Sequence, residues 1–154
     1  MFMAFLMFFT MFAAQLPNGI LEVQAAEGDM NITVHFDKNV YTGWTTPAIQ
    51  FWGGELTPSN YVGEPAEIEG WNGAIGYTLT DEGNGWYSIT LTGSCEGFQF
   101  LDMANPGNNT GGKGYHVYLA QYTDAEPKDL YFKPYEDNYN GKWYTDAECT
   151  VELA

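Results

Sequence analysis

Residues 74–92, AIGYTLTDEGNGWYSITLT, decide the fold. Ile75, Tyr77 and Leu79 alternate with Gly76, Thr78 and Thr80, which is the period-two pattern of a strand with one buried face. Tyr87, Ile89 and Leu91 repeat that pattern against Ser88 and Thr90. Between the two runs lies Asp81-Glu82-Gly83-Asn84-Gly85, in which Asn84-Gly85 suits the positive φ of a tight turn. The stretch is therefore an antiparallel hairpin with Tyr77, Leu79, Tyr87, Ile89 and Leu91 turned inward.

Outward from the hairpin, short alternating runs continue in both directions, cut by glycine and turn residues. Ile32, Val34 and Phe36 alternate with Thr33, His35 and Asp37. A second strand opens at Thr46-Pro47 and stops at Gly53-Gly54, with Ile49 and Phe51 on one face and Gln50 and Trp52 on the other. Gly97–Met103 follows the hairpin with Phe98 and Phe100 inward. Asn105–Gly114 reads as a long polar loop. Tyr115–Tyr122 reads as a strand, Leu130–Tyr135 as a short edge strand because of Pro134, and Trp143–Leu153 as the last strand, with Ala147, Cys149, Val151 and Leu153 on one face. No segment holds a helical period, and the expected class is an all-β, antiparallel β-sandwich in one domain.

Residues 3–14, MAFLMFFTMFAA, form an apolar run of signal-peptide length, too short to span a bilayer comfortably. Val23-Gln24-Ala25 places small or aliphatic residues at the −3 and −1 positions of a cleavage site. Residues 1–25 are expected to be a secretory signal, with 26–154 the mature domain; a retained membrane anchor is the competing reading. The expected location is extracellular, either free or at the cell surface, without membrane insertion of the mature domain.

The formal net charge of −15 comes with five lysines and no arginine. Nothing here could displace counterions from phosphates, so nucleic acid is excluded as a partner, and an anionic membrane surface is disfavoured for the same reason. All 11 Tyr and all 5 Trp lie beyond residue 25. With Leu and Ile sparse, several of these rings are expected at the surface, and exposed rings with few cations suit an uncharged ligand. Cys95 and Cys149 are the two cysteines. A disulfide joining the fifth strand to the last, and two buried thiols acting as small hydrophobes, both fit that pair.

Catalytic chemistry fails on inventory. His35 and His116 are isolated and no HExxH, GxSxG, P-loop or CxxC occurs. Neither a cofactor nor a metal is expected; a calcium loop at residues 124–129 has no supporting ligand spacing. A pyranose ring presents a face of C–H groups that lies flat on an aromatic ring, while its hydroxyls need short polar partners around that ring. Trp52 ends its strand opposite the core-facing residues, beside two glycines that leave room for a ligand. It is the expected platform. Tyr41 and Trp44 lie in the loop before it, where a tryptophan has less reason to be buried, and His35 would neighbour Trp52 if the first two strands paired. Trp71, flanked by Gly70 and Asn72-Gly73, is a further candidate, and Gln99 and Asn109 are polar ones. Trp86 and Trp143 occur in Trp-Tyr pairs on strands and read as mainly structural.

The ordered series ITVHFDK, the loop tryptophan, TPAIQFWGG, GWNG, GNGWYSITL and FQFLDMANPGNNT, spanning Asn31 to Thr110, resembles the family 26 carbohydrate-binding modules, with family 25 as close relatives. These are immunoglobulin-like, starch-binding β-sandwiches appended to secreted amylases and starch-adhesion proteins. The resemblance implies that Trp52 stacks on α-1,4-linked glucose, that a first-strand residue near His35-Phe36 adds a second contact, and that Asn109-Thr110 supplies hydrogen bonds. From Gly111 to Tyr139 the chain departs from the family pattern. The resulting expectation is a non-enzymatic module that binds starch, amylopectin or maltooligosaccharides, working beside other modules of the same polypeptide or complex. A protein-interaction or spacer sandwich, and a sandwich for another neutral glycan, are the alternatives.

Overall fold

A computed structural model describes residues 29–111, 119, 121–135 and 141–153, so the expected leader lies outside the described residues. The strands are β1 (Met30–Asp37), β2 (Pro47–Ser59), β3 (Tyr61–Glu67), β4 (Ile75–Gly83), β5 (Trp86–Asp102), β6 (Asn105–Asn109), β7 (Lys128–Pro134) and β8 (Gly141–Tyr144). The predicted hairpin is present as β4 and β5, turning at Asn84 and Gly85 with φ of 55° and 85°. The pairing order is β3-β4-β2-β5-β1-β7-β8, with β6 added to β5 and a further β4–β5 pairing.

That continuous sheet becomes a sandwich because its long strands turn a corner. In β2 the core-facing residues before the corner are Ile49 and Phe51, and after it Leu56; in β5 they are Ile89 and Leu91, then Phe98 and Phe100. The inward parity therefore changes in both strands between Phe51 and Leu56 and between Leu91 and Phe98. Gly53, Gly54 and Gly93 occupy the corner with φ of 65°, 76° and 114°. These angles are costly for any residue with a side chain. A Cβ on Gly93 would also run into the carbonyl oxygen of Glu55 on the facing strand. The two halves then face each other across aromatic rings: Phe36 stacks on Phe100 at 4.3 Å, and Phe100 on Phe132 at 5.7 Å. One layer holds β1, the first half of β5, β7 and β8; the other holds the first half of β2, the second half of β5, and β6.

Several strand expectations are corrected. β2 does not stop at Gly53-Gly54 but bends there and runs on to Ser59, and β3 has no counterpart in the expected strand list. Asn105–Asn109, expected as loop, pairs with the end of β5. β1 and β7 pair in parallel, an exception in an otherwise antiparallel all-β fold. β7 is not an edge strand, since β1 and β8 flank it; its β1 ladder ends at Phe36↔Phe132, so Pro134 lies past the last rung that would need its missing N–H. The expected strand at Tyr115–Tyr122 falls largely outside the described residues, and Leu119, Gln121 and Tyr122 are not in strands. The final strand ends at Tyr144. Beyond it the Asp146 carboxylate accepts the backbone N–H groups of Thr150 and Val151, a local turn that reverses the chain so that Glu152 bridges back to Tyr144 and Val151 is left 56% exposed. Cys95 and Cys149 are separate free thiols. Burial pushes the Cys95 thiol up to about 11, against a hydrogen bond from the Gly97 backbone, so it remains protonated and unreactive near neutral pH. Among the described residues no helix is long and apolar enough to cross a membrane.

Candidate functional site

The sandwich has two outer faces, and the predicted site residues divide between them and the core. Tyr41 and Trp44 are core residues, each 6% exposed. Backbone bonds from Tyr41 N–H to the Lys38 carbonyl (2.8 Å) and from Trp44 N–H to the Tyr41 carbonyl (3.0 Å) curl the loop back on itself. The two rings stack at 4.4 Å and lie against Phe36, which leaves no ring face open to a ligand. The loop position did not imply exposure, because a tight loop over a sheet end can act as a lid on the core.

Trp52 does lie on an outer face. It pairs with Gly97 on β5, and its indole occupies the space that a Gly97 side chain would fill. Beside it, Gln50 and Gln99 pair across the two strands: the Gln99 amide donates to the Gln50 carbonyl oxygen (3.0 Å), and Gln50 donates to the Phe51 carbonyl (2.7 Å). Further along the same face, Ala48, Ile68 and Leu101 form a small separate apolar cluster, on which Trp71, Ala74 and Met103 pack. Asn109 pairs with Leu101 in register, but its amide donates to the Pro106 and Gly107 carbonyls and its oxygen accepts from Gly111 N–H. Asn109 therefore shapes its own turn. Thr110 is 1% exposed, with its hydroxyl bonded to the Phe100 backbone, and fastens the chain to β5 rather than reaching outward.

His35 is not a neighbour of Trp52. β5 separates β1 from β2, and along β5 His35 faces Ser88 whereas Trp52 faces Gly97. Because Phe36 and Phe100 meet in the core, His35 and Gln99 point away from each other on opposite outer faces.

On its own face His35 is the centre of a second aromatic cluster. Its ring stacks on Tyr131 of β7 at 4.4 Å and 12°, and Trp86 of β5 meets Tyr131 edge-on at 5.9 Å and 79°. His35 Nδ1 lies 2.8 Å from Glu82 Oε2 and Nε2 lies 3.2 Å from Asp129 Oδ1. Glu82 is the extra residue of a β-bulge: Asp81 pairs with Tyr87 and Gly83 with Trp86, leaving Glu82 unpaired and aimed across the face. Burial first, then the charges of Asp129 and Glu82, push the Tyr131 phenol above its ordinary value, so it stays a neutral donor. Trp86 and Tyr131 are half-buried. Chemically the cluster offers two aromatic rings at a steep angle, with one face of Tyr131 covered by His35, together with a hydroxyl donor and two carboxylate acceptors. Among the described residues, no group of three or more His, Cys, Asp or Glu could hold a metal ion.

The sequence reads Trp86 as mainly structural, whereas it lies against Tyr131 on an outer face, and it does not single out Tyr131, Glu82 or Asp129. For Trp86 the signal was present: it precedes inward-facing Tyr87 and so belongs to the outer face, by the same parity that selected Trp52. Tyr131 and Asp129 carry no such signal, because their place beside His35 depends on a parallel pairing across 96 residues of chain, as in His35↔Tyr131. Trp143, expected to be structural, is 7% exposed and packs on Phe132 at 4.8 Å.

No family model matches the chain. No curated protein matches it. Among solved structures it is similar to a family 26 carbohydrate-binding module of Eubacterium rectale Amy13K in complex with maltoheptaose, at 17% identity and a TM-score of 0.46, over 82% of this chain. The likeness spans 54% of that solved chain.

Proposed function

We propose that this chain is a non-catalytic module that binds starch-like α-1,4-glucan by aromatic stacking and holds a secreted amylolytic enzyme or complex on its substrate. The observation that carries this reading is the Trp86–Tyr131 pair, two half-buried rings 5.9 Å apart and 79° from parallel. An α-1,4 chain curves, so successive glucose rings present their C–H faces at different angles. A flat row of rings suits a straight β-linked chain, and an angled pair suits a curved one. Glu82 and Asp129 beside the pair are acceptors for sugar hydroxyls, and Tyr131 is a donor.

Trp52 supports the same reading as a ring on the opposite face, with the half-buried Gln99 amide, bonded to the buried Gln50, at its side. The two faces would hold separate glucan segments. Each site is small and leaves most sugar hydroxyls hydrated, so affinity per site is modest, and firm adhesion to granules comes from several modules acting together. Affinity electrophoresis through gels containing amylopectin, pullulan, xylan or hydroxyethyl cellulose tests the reading. Retardation by amylopectin and pullulan but not by the β-linked polymers is expected; equal mobility in all gels assigns the sandwich to protein interaction or spacing instead.

A further inference from the structure

We infer that His35 is a positioning residue whose doubly protonated ring clasps Glu82 and Asp129 and holds Tyr131 in place, so that the glucan affinity of this face falls as the medium becomes alkaline. The inference rests on the glucan reading for its binding half and on the geometry alone for the clasp.

The chemistry is a matter of counting donors. A neutral imidazole has one N–H and one bare lone pair, whereas an ionised carboxylate only accepts. Both His35 nitrogens face carboxylate oxygens, at 2.8 Å and 3.2 Å. Two charge-assisted bonds can form together when both nitrogens carry protons. When the imidazolium gives a proton to solvent, one nitrogen lone pair is left pointing at a carboxylate. That contact turns repulsive, and the longer one, to Asp129, is the weaker. Asp129 is also the freer partner, with its side chain 62% exposed against 35% for Glu82.

The groups around the ring make this consequential. β4 contributes Glu82; β5 contributes Ser88, which is uncharged; β7 contributes Asp129 and the Tyr131 phenol. On β1 itself, Asp37 bonds to Asn39 and not to His35. Lys128 neighbours Asp129 along β7 and, by strand alternation, belongs to the other side. Further along the same outer face lie Lys133 on β7 and Lys142 and Tyr144 on β8, with Lys142 paired to Glu152, and Cys149 and Glu148 also act on the Tyr131 phenol. His35 is thus the cation that joins β1 to both carboxylates, and its ring is the surface on which Tyr131 lies. Losing the second proton loosens Asp129, two residues from Tyr131 on the same face of β7, and with it the angle that Tyr131 makes with Trp86. Histidine changes charge between about pH 5 and pH 8, and surface ion pairs are weak, so the effect on affinity is expected to be roughly two- to fivefold.

The test uses the intact chain and two readouts. In ring-nitrogen NMR spectra followed from acid to alkaline pH, the clasped His35 ring should show both nitrogens protonated, and the released ring one. Titrated with maltoheptaose over the same range, the wild type should weaken roughly two- to fivefold towards pH 8. His35→Gln, whose amide carries no titrating charge, should bind at the weaker level with a flat profile, and Glu82→Gln should reduce the slope should His35→Gln fail to fold. A ring that is singly protonated where maltoheptaose binds most tightly, or a wild-type profile that parallels that of the variant, overturns the inference. Absence of maltoheptaose binding at every pH overturns the glucan reading and the binding half with it, while the spectra still decide the clasp.

Discussion

The two outer faces of the sandwich are built differently. The Trp52 face is local: Trp52, Gln50, Gln99 and Gly97 belong to one antiparallel pair, β2 and β5, and an amide bridge supplies its polar groups. The Trp86–Tyr131 face draws on four strands, with Trp86 from β5, His35 from β1, Tyr131 and Asp129 from β7, and Glu82 from a bulge in β4. The first offers Trp52, with Trp71 packed further along on Ala48, Ile68 and Leu101. The second offers two rings at an angle, fixed by a histidine between two carboxylates. An angled platform for a curved polymer requires rings from more than one strand, since side chains on one strand face leave it in roughly the same direction.

The comparison is sharpened first by a residue that belongs to neither face. Trp44→Ala should lower the unfolding free energy by about 3–5 kcal/mol, because it empties the space beside Tyr41 and Phe36 in the core. Urea titration reads this directly; a stable variant with lost glucan binding would return Trp44 to the surface. Trp86→Ala should next reduce maltoheptaose affinity by roughly tenfold while moving the urea midpoint little, as the ring is half-buried on an outer face. Trp52→Ala should cost roughly threefold, on the scale of one stacked ring. In the double variant with Trp86→Ala the two losses should multiply, since the rings lie on opposite faces. Losses that do not multiply would mean that the two rings serve one site. Gly97→Ala, which displaces the Trp52 indole, should lower stability by about 1–3 kcal/mol and leave the Trp86 face intact. The smallest effect is expected for Gln99→Ala, about 1 kcal/mol in stability, from losing the donor to Gln50.

Much of the fold was legible because burial on one face writes a period of two into the sequence. Ile32, Val34 and Phe36, or Ile89 and Leu91, can be assigned to the core without knowing which strands they meet. Pairing was less legible. The corner at Gly53-Gly54 reads as a strand end, because positive-φ glycines look alike whether a strand stops or bends. The parallel β1–β7 contact leaves no local trace. The candidate site follows the same division. Parity placed Trp52 outside correctly and would have placed Trp86 there too. The link between His35 and Trp52 needed a neighbour relation, and β5 lies between their strands. Tyr41 and Trp44 were misjudged for a third reason: their loop folds over the end of the core, and only its hydrogen bonds reveal that.

The indole N–H signals of the five tryptophans test the central claim most directly, followed by NMR as maltoheptaose is added. The account predicts the largest shift at Trp86, a smaller one at Trp52, and none at the core residues Trp44 and Trp143. Shifts confined to Trp44, or no shift at any of the five at saturating maltoheptaose, would contradict it.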